Sequence, residues 1–254
     1  SQLGLPLPGL YALKAQRFLE AGGTVQDLAA VVVKNRRNGV SNEYAFFRSP
    51  VTAEEVLASP PICEPLTLFQ CCPNVDGAAA AIVVSERFAR AHGDSTARIV
   101  VSGVGATSGH RIDVRTDLPD STERAAQAAY EEAGIGPDEI DVCEVPEPFS
   151  IAEILHYESL GFCAPGEGGR YVSTGMSSVG GTGVAVNTSG GLLARGHPLG
   201  ASGIAQIFEI VTQLRGQAGP RQREGARVGL AHIAGGTLPE LEGNACVVSI
   251  LERR

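Results

Sequence analysis

The sequence contains no tryptophan, one methionine, five tyrosines and eight phenylalanines among 254 residues. Core volume must therefore come from aliphatic and small side chains. A basic excess is also missing. The formal net charge is −8, which argues against nucleic acid as a main partner, because phosphate contacts need clustered Lys and Arg. The neighbouring pair Arg36-Arg37 is read as solvated surface. No apolar run reaches the ~20 residues of a membrane-spanning helix, and no signal-peptide pattern opens the chain. Six cysteines lie at 63, 71, 72, 143, 163 and 246, with no Cys-x-x-Cys pair or regular framework, so neither a zinc site nor a disulfide scaffold is expected. Free thiols in a reducing cytosol are the simplest account, which implies a cytoplasmic protein without bound metal. Adjacent Cys71 and Cys72 read as small core residues. The chain opens on Ser1 rather than Met, so a fragment or processed subunit is expected.

Hydrophobic residues make up 43% of the chain and glycine contributes 32 residues. That composition excludes disorder, which needs low hydrophobicity and high charge. It suits tight helix–sheet packing, and the length holds one large or two medium domains.

Residues 1–60 read as helices and loops. Residues 10–21 and 25–34 carry apolar residues at three- and four-residue spacings. Gly22-Gly23 separates them, with Thr24 or Asp27 as the second cap. Thr52 three residues before Glu55 forms a capping-box pattern. Residues 38–50 are expected as an exposed loop. Residues 76–85 read as a buried strand, 86–92 as a short helix, and 93–95 as a boundary. Beyond it, strands are expected at 97–105, 140–145, 227–232 and 245–251. Helices are expected at 118–134, 150–161 and 204–214, and a glycine-rich loop at 173–182. Strands alternating with helices imply a layered α/β domain.

One stretch concentrates chemistry: Asn187-Thr-Ser-Gly-Gly-Leu-Leu-Ala-Arg-Gly-His-Pro-Leu-Gly-Ala-Ser-Gly203. It places a lone histidine, His197, between Gly196 and Pro198. Glycine permits close backbone approach and positive φ, and proline fixes φ just after the ring. The turn reads as a rigid mount for an imidazole near a helix N-terminus. Two other stretches follow expected strands, the usual place for sites in α/β folds. These are Glu144-Val-Pro-Glu-Pro-Phe-Ser150 and Gly229-Leu-Ala-His-Ile-Ala-Gly-Gly236.

The long glycine–histidine–proline string resembles the signature of thiolases. Leu28-Ala-Ala-Val-Val-Val-Lys-Asn-Arg-Arg37, Asn74-Val-Asp-Gly-Ala-Ala-Ala80 and Glu153-Ile-Leu-His-Tyr-Glu-Ser-Leu-Gly161 resemble the sterol-carrier branch of that family. The resemblance implies a layered α-β-α-β-α thiolase fold. Residues 1–94 would supply the loop domain and the end of the N-terminal half, and residues 95–254 the complete C-terminal half. It implies a thioester of coenzyme A as substrate, with residues 38–50 covering its site.

In that family the histidine of Gly-His-Pro deprotonates a nucleophilic cysteine and helps hold the thioester oxygen. His197 takes this role here, with Asn187 and its glycines as the mount and Gly196 beside the substrate. The loop at 144–150 matches at Glu147 and Phe149, but Pro146 and Pro148 replace polar partners. Proline offers no side-chain donor, and one oxyanion donor is commonly worth ~3 kcal/mol of barrier. Glu147 remains a candidate acid, base or water-orienting carboxylate, and Phe149 a substrate contact. In the third stretch His232 stands where thiolases carry a second cysteine, so it is the candidate proton exchanger at the substrate α-carbon. Ala234 and Gly235 would offer backbone to the thioester oxygen.

The nucleophilic cysteine of thiolases lies upstream of the loop domain, and no cysteine here matches its context. The resemblance implies thiolysis of a 3-ketoacyl-CoA first. A thiolase-like aldolase acting on a 3-hydroxyacyl-CoA, with a steroid-like acyl group, comes second. A non-catalytic acyl-CoA-binding subunit is a third reading. A homodimer or homotetramer is expected, with a small acyl-CoA-binding partner.

Overall fold

The computed structural model describes residues 6–92, 98–108, 120–236 and 245–254. Helix α1 (Leu7–Glu20) opens the described chain, with Pro in its first turn. Helix α2 (Val25–Val40) begins at a complete capping box: Thr24 accepts from the Asp27 N–H, and the Asp27 carboxylate accepts from Thr24. It runs six residues beyond the expected end at Lys34, into the segment expected as an exposed loop. Within that segment Asn38 and Asn42 are buried. A second capping box, Thr52 with Glu55, starts α3 (Ala53–Ala58). The short strands β1 (Pro61–Cys63) and β2 (Leu66–Thr67) follow as an antiparallel pair.

Residues 76–85 form no strand, although their small and β-branched composition suggests one. Ile82 is 93% exposed and Val83 84%. Strand propensity is a fit to a pleated, half-buried surface, and among the described residues no strand lies alongside to provide it. Helix α4 (Glu86–His92) follows as expected. The expected boundary at 93–95 lies outside the described residues.

The remainder builds one sheet: β3 (Ile99–Ser108), β4 (Val142–Glu144), β5 (Ala185–Val186), β6 (Val228–Gly235) and β7 (Ala245–Arg253). Their order is β3-β7-β6-β4-β5. The β3–β7 and β6–β7 pairs are antiparallel, while β4 runs parallel to both β5 and β6. One face is covered by α5 (Ser121–Ala133) and α6 (Ser150–Ser159), with α2 beyond them. Its core contains Leu28, Val32, Ala125, Ile154, Leu230 and Ile250. Helix α5 presses so closely on β3 that a Cβ at Gly105 would stand 1.8 Å from the Ala125 carbonyl oxygen. Only glycine fits there. Helix α9 (Ser202–Leu214) covers the other face through Ile210 and Leu214, which meet Val142, Ala231 and Leu251.

Helix α9 is polar where it is most buried. Ser202, Gln206, Glu209 and Gln213 recur at three- and four-residue spacing and are all at most 2% exposed. Ile204 and Phe208, on the outer side, are 39% and 46% exposed. The two short helices α7 (Gly168–Ser173) and α8 (Gly191–Arg195) complete the fold.

Candidate active site

The Gly-His-Pro turn links α8 to α9. Gly196 ends α8 at φ +91°, and a Cβ there would lie 2.7 Å from Val75 Cγ2. Gly190 and Gly191 start α8 at φ +97° and +59°. L-residues with side chains rarely adopt those angles, so the glycines of the motif are set by backbone geometry and crowding. The stretch 71–77 closes against this turn. The His197 N–H donates to the Pro73 carbonyl at 2.9 Å, and Asn74 pairs with His197 as a parallel bridge. The same stretch also grips the other motif loop, with the Cys72 N–H on the Pro148 carbonyl at 2.9 Å and Cys71 bridged to Phe149. A single segment thus holds the Glu147 loop and His197 side by side.

The His197 ring is half-buried, and its Nδ1 lies 2.8 Å from Ser202 Oγ. Ser202 in turn donates to the Pro198 carbonyl at 3.1 Å. A hydroxyl has one hydrogen. With that hydrogen on Pro198, Oγ accepts from His197, so Nδ1 carries the proton and Nε2 keeps its lone pair. Burial, and then the charge of Arg195, hold the imidazole below its usual pKa range, which keeps the ring neutral. Ser202 escaped the sequence reading, although it stands five residues after His197 within the same string.

Arg195 is itself 9% exposed, and among the described residues Nε and both Nη atoms have no hydrogen-bond partner. Its charge works at a distance on Glu144, which is fully buried at the end of β4. Burial first, then the neighbouring Glu209, raise the Glu144 carboxyl to about 7, against the opposing pull of Arg195 and of Ser189. The Ser189 N–H donates to Glu144 Oε1 at 2.9 Å. Thr188 Oγ1 donates to Glu209 at 3.0 Å, and Arg221 pairs with Glu209 at 3.0 Å.

Asn187 is fully buried at φ +56°. Its Nδ2 donates to Glu153 Oε2 at 2.6 Å, and its Oδ1 accepts from the Val145 N–H at 2.9 Å. Glu153 also receives Asn35 Nδ2 at 2.7 Å and pairs with Lys34 Nζ at 2.8 Å. These contacts pin Asn187 in the interior, just before α8 begins. Lys34, Asn35 and Arg36 are thus interior groups of α2. The reading of Arg36 as solvated surface is corrected: it is 6% exposed, its guanidinium lying 3.6 Å from the centre of the Phe47 ring. Arg37 beside it is exposed.

Glu147 is also fully buried. Oε1 accepts from Asn35 Nδ2 at 3.2 Å and from the Leu193 N–H at 3.0 Å, while Oε2 has no partner among the described residues. Burial and then Glu153 raise its carboxyl well above the usual range, and it is held under α8 by the Leu193 N–H. Phe149 is 6% exposed and stacks on Tyr11 at 4.8 Å. It belongs to the core.

His232 lies apart from this group. Along β6, Gly229 and Ile233 face α9, so strand alternation turns His232 to the opposite face. Its Nε2 lies 3.3 Å from Thr122 Oγ1 and 3.3 Å from Cys246 Sγ, and its ring meets His156 edge-on at 4.5 Å. It is 0% exposed. Burial and then His156 hold it well below the usual imidazole range. The ring is enclosed by α5, α6 and β7 through Thr122, His156 and Cys246. Ala234 packs against that same core, and Gly235 ends β6 exposed.

The thiols match the reading of Cys71 and Cys72 as packing residues. Burial raises Cys71 to about 11 and Cys72 to about 12, with Glu147 adding to the second. Among the described residues no helix is long and apolar enough to cross a membrane.

Residues 105–252 match the family described as "Thiolase C-terminal domain-like". The chain is 43% identical over 92% of its length to the benzoylsuccinyl-CoA thiolase subunit BbsB of Thauera aromatica, covering 61% of that protein. It is 43% identical over its whole length to an acetyl-CoA acetyltransferase of Methanothermobacter thermautotrophicus, covering 65%. It is 40% identical over 96% of its length to sterol carrier protein 2 of Rattus norvegicus, covering 44%. Among solved structures, an "Ltp2-ChsH2(DUF35) aldolase" superposes with a TM-score of 0.81 at 26% identity, over 97% of this chain and 64% of that one. The chain therefore spans 44 to 65% of the length of these curated relatives. A fold with a five-stranded sheet between helices, a glycine-held His197 and a family match over more than half the chain lead to one assignment: this chain belongs to the thiolase family.

Proposed function

We propose that this chain carries the acid–base half of an acyl-CoA-handling enzyme of the thiolase superfamily, with His197 as its base. The observation behind this reading is the Ser202–His197 pair, which leaves Nε2 unprotonated in a half-buried ring. In thiolysis of a 3-ketoacyl-CoA, Nε2 takes the proton from an attacking thiol. The bond between the α- and β-carbons breaks, and two acyl-CoA molecules leave. In this reading the nucleophilic cysteine that thiolases use would come from a further stretch of polypeptide or from a partner subunit, whereas a reaction without covalent catalysis needs none. Cys71 and Cys72 are protonated thiols at neutral pH, and so are buried Cys143 and Cys246.

A second reading, an aldolase-type cleavage of a 3-hydroxyacyl-CoA, is favoured by Pro146. It stands where thiolases place a polar oxyanion partner, and its carbonyl is engaged by His156 Nε2 at 3.1 Å. The solved structure described as an aldolase lends this reading support. A small acyl-CoA-binding partner and a homo-oligomer remain part of the proposal, and the relative named as a thiolase subunit supports the first of these.

The test supplies the full protein, together with any partner that co-purifies, with a 3-ketoacyl-CoA and free coenzyme A. Mass spectrometry follows the acyl-CoA products. Two acyl-CoA products, lost by about 100-fold or more in His197→Ala, support thiolysis. Ketone or aldehyde released from a 3-hydroxyacyl-CoA without coenzyme A identifies the aldolase. Full activity of His197→Ala overturns both and leaves a non-catalytic binding subunit.

A further inference from the structure

A cavity of about 630 Å³ lies between the C-terminal end of α2, the 174–182 loop and the turn at Pro220-Arg221. Two arginines, Arg37 and Arg221, line it together with Thr174, Ser178 and Thr182, and its lining holds no carboxylate residue. Glu209 already engages Arg221. Arg37 is exposed, and its Nη2 donates only to Ser178 Oγ, at 3.2 Å. Its charge has no carboxylate partner among the described residues.

The loop itself supplies further donors. Arg223 Nη1 donates to the carbonyls of Val179 at 3.1 Å and Gly181 at 2.7 Å, and Nη2 to that of Gly183 at 3.1 Å. In a trans peptide the following N–H points opposite to the carbonyl. With three carbonyls drawn to one guanidinium, the N–H groups of Gly180 and Thr182 are turned away from it, and both residues line the cavity. The third, on Val184, is taken by the Tyr171 hydroxyl at 2.7 Å. Those of Gly180 and Thr182 have no partner among the described residues. Glycine is required along this wall: a Cβ at Gly181 would lie 2.4 Å from the Gly175 carbonyl oxygen, and one at Gly183 2.2 Å from the Tyr171 hydroxyl. A Cβ at Gly180 would meet nothing within 4 Å.

We propose that this cavity binds a phosphate group, held by the N–H groups of Gly180 and Thr182 and by the Arg37 guanidinium. Backbone donors turned the same way beside an uncompensated arginine form an anion-binding concavity. The room beyond Arg37 admits either a free phosphate compound or the phosphorylated end of a nucleotide. The site rests on the 174–182 loop and α2, away from the His197 ring, and does not depend on the acyl-CoA reading.

Isothermal titration calorimetry of the full chain at low salt tests it, with inorganic pyrophosphate in one arm and adenosine 3′,5′-bisphosphate in the other. Saturable binding is expected, weakened by about tenfold or more in Arg37→Glu. Because Arg37 is exposed, the variant is expected to melt like the parent. Binding of pyrophosphate identifies a site for phosphate itself, and binding of the bisphosphate alone a nucleotide site. Equal affinity of parent and Arg37→Glu, or no heat from either compound up to millimolar concentration, overturns the proposal.

Discussion

Replacing Ser202 with alanine removes the group that both accepts from His197 Nδ1 at 2.8 Å and donates to Pro198 at 3.1 Å. In the variant the Nδ1 proton loses its acceptor in a half-buried position. Leaving such a donor unsatisfied costs about 1–3 kcal/mol. The ring escapes that cost by moving the proton to Nε2, where it faces the site and blocks the lone pair the base needs. If the whole cost falls on the transition state, the rate falls by about 5- to 150-fold. The direct readout is the 15N spectrum of the imidazole, correlated to its carbon-bound protons, which distinguishes the two tautomers without any substrate. The parent protein is expected to show protonated Nδ1, and Ser202→Ala a shift towards protonated Nε2. Because burial and Arg195 depress the His197 pKa, the neutral ring is expected to persist on the acid side of about 6.5, and activity to fall only below it. A parent spectrum with protonated Nε2 refutes the reasoning, whatever the kinetics show.

Glu144→Gln isolates one titration. The carboxyl, raised from 4.5 to about 7, keeps its proton longer in the folded state than in the unfolded one. Its stabilising contribution is full below pH 4.5 and is lost as pH rises to 7, on the order of 3 kcal/mol. His156, lowered to about 4, acts in the opposite direction over the same window, and His232 and Glu147 shift as well, so only the difference between variant and parent isolates Glu144. The stability difference between Glu144→Gln and the parent should therefore grow in the variant's favour from pH 4.5 to 7, as urea midpoints will show; a difference independent of pH contradicts this. Gly191→Ala places a Cβ 1.9 Å from Glu147 Oε1 at a φ of +59°. A loss of more than about 3 kcal/mol is expected, and a urea midpoint equal to that of the parent would show that the α8 start is not as tight as described.

Much of the fold was legible because local rules agreed with the global one. Thr24 as a candidate cap and the Thr52–Glu55 box marked helix starts, and Gly134 at φ +71° ended α5 as expected. Residues 76–85 show the limit of such rules, since a strand-like pattern records a preference and not the presence of a neighbour. The site was legible at His197, where glycine and proline constrain the backbone itself. At His232 alternation along β6 reveals that two faces exist but not that this one packs the ring against Thr122, Cys246 and His156. Lys34, Asn35 and Arg36 are polar side chains whose burial a linear reading does not reveal. They become interior only when α2 is packed against α6, α7 and α8, where Glu153 and the Phe47 ring receive them.

The inward polar row on α9 has a consequence for the histidine that precedes it. Aliphatic contacts are non-directional, so a helix seated by them alone is held less specifically than one that also carries buried ion pairs. Rolling α9 would tear Glu209 from Arg221 and Thr188 and leave charge stranded against the sheet. The far end of the helix thereby indexes its near end, so the aim of the imidazole at 197 is governed in part by an ion pair at residues 209 and 221.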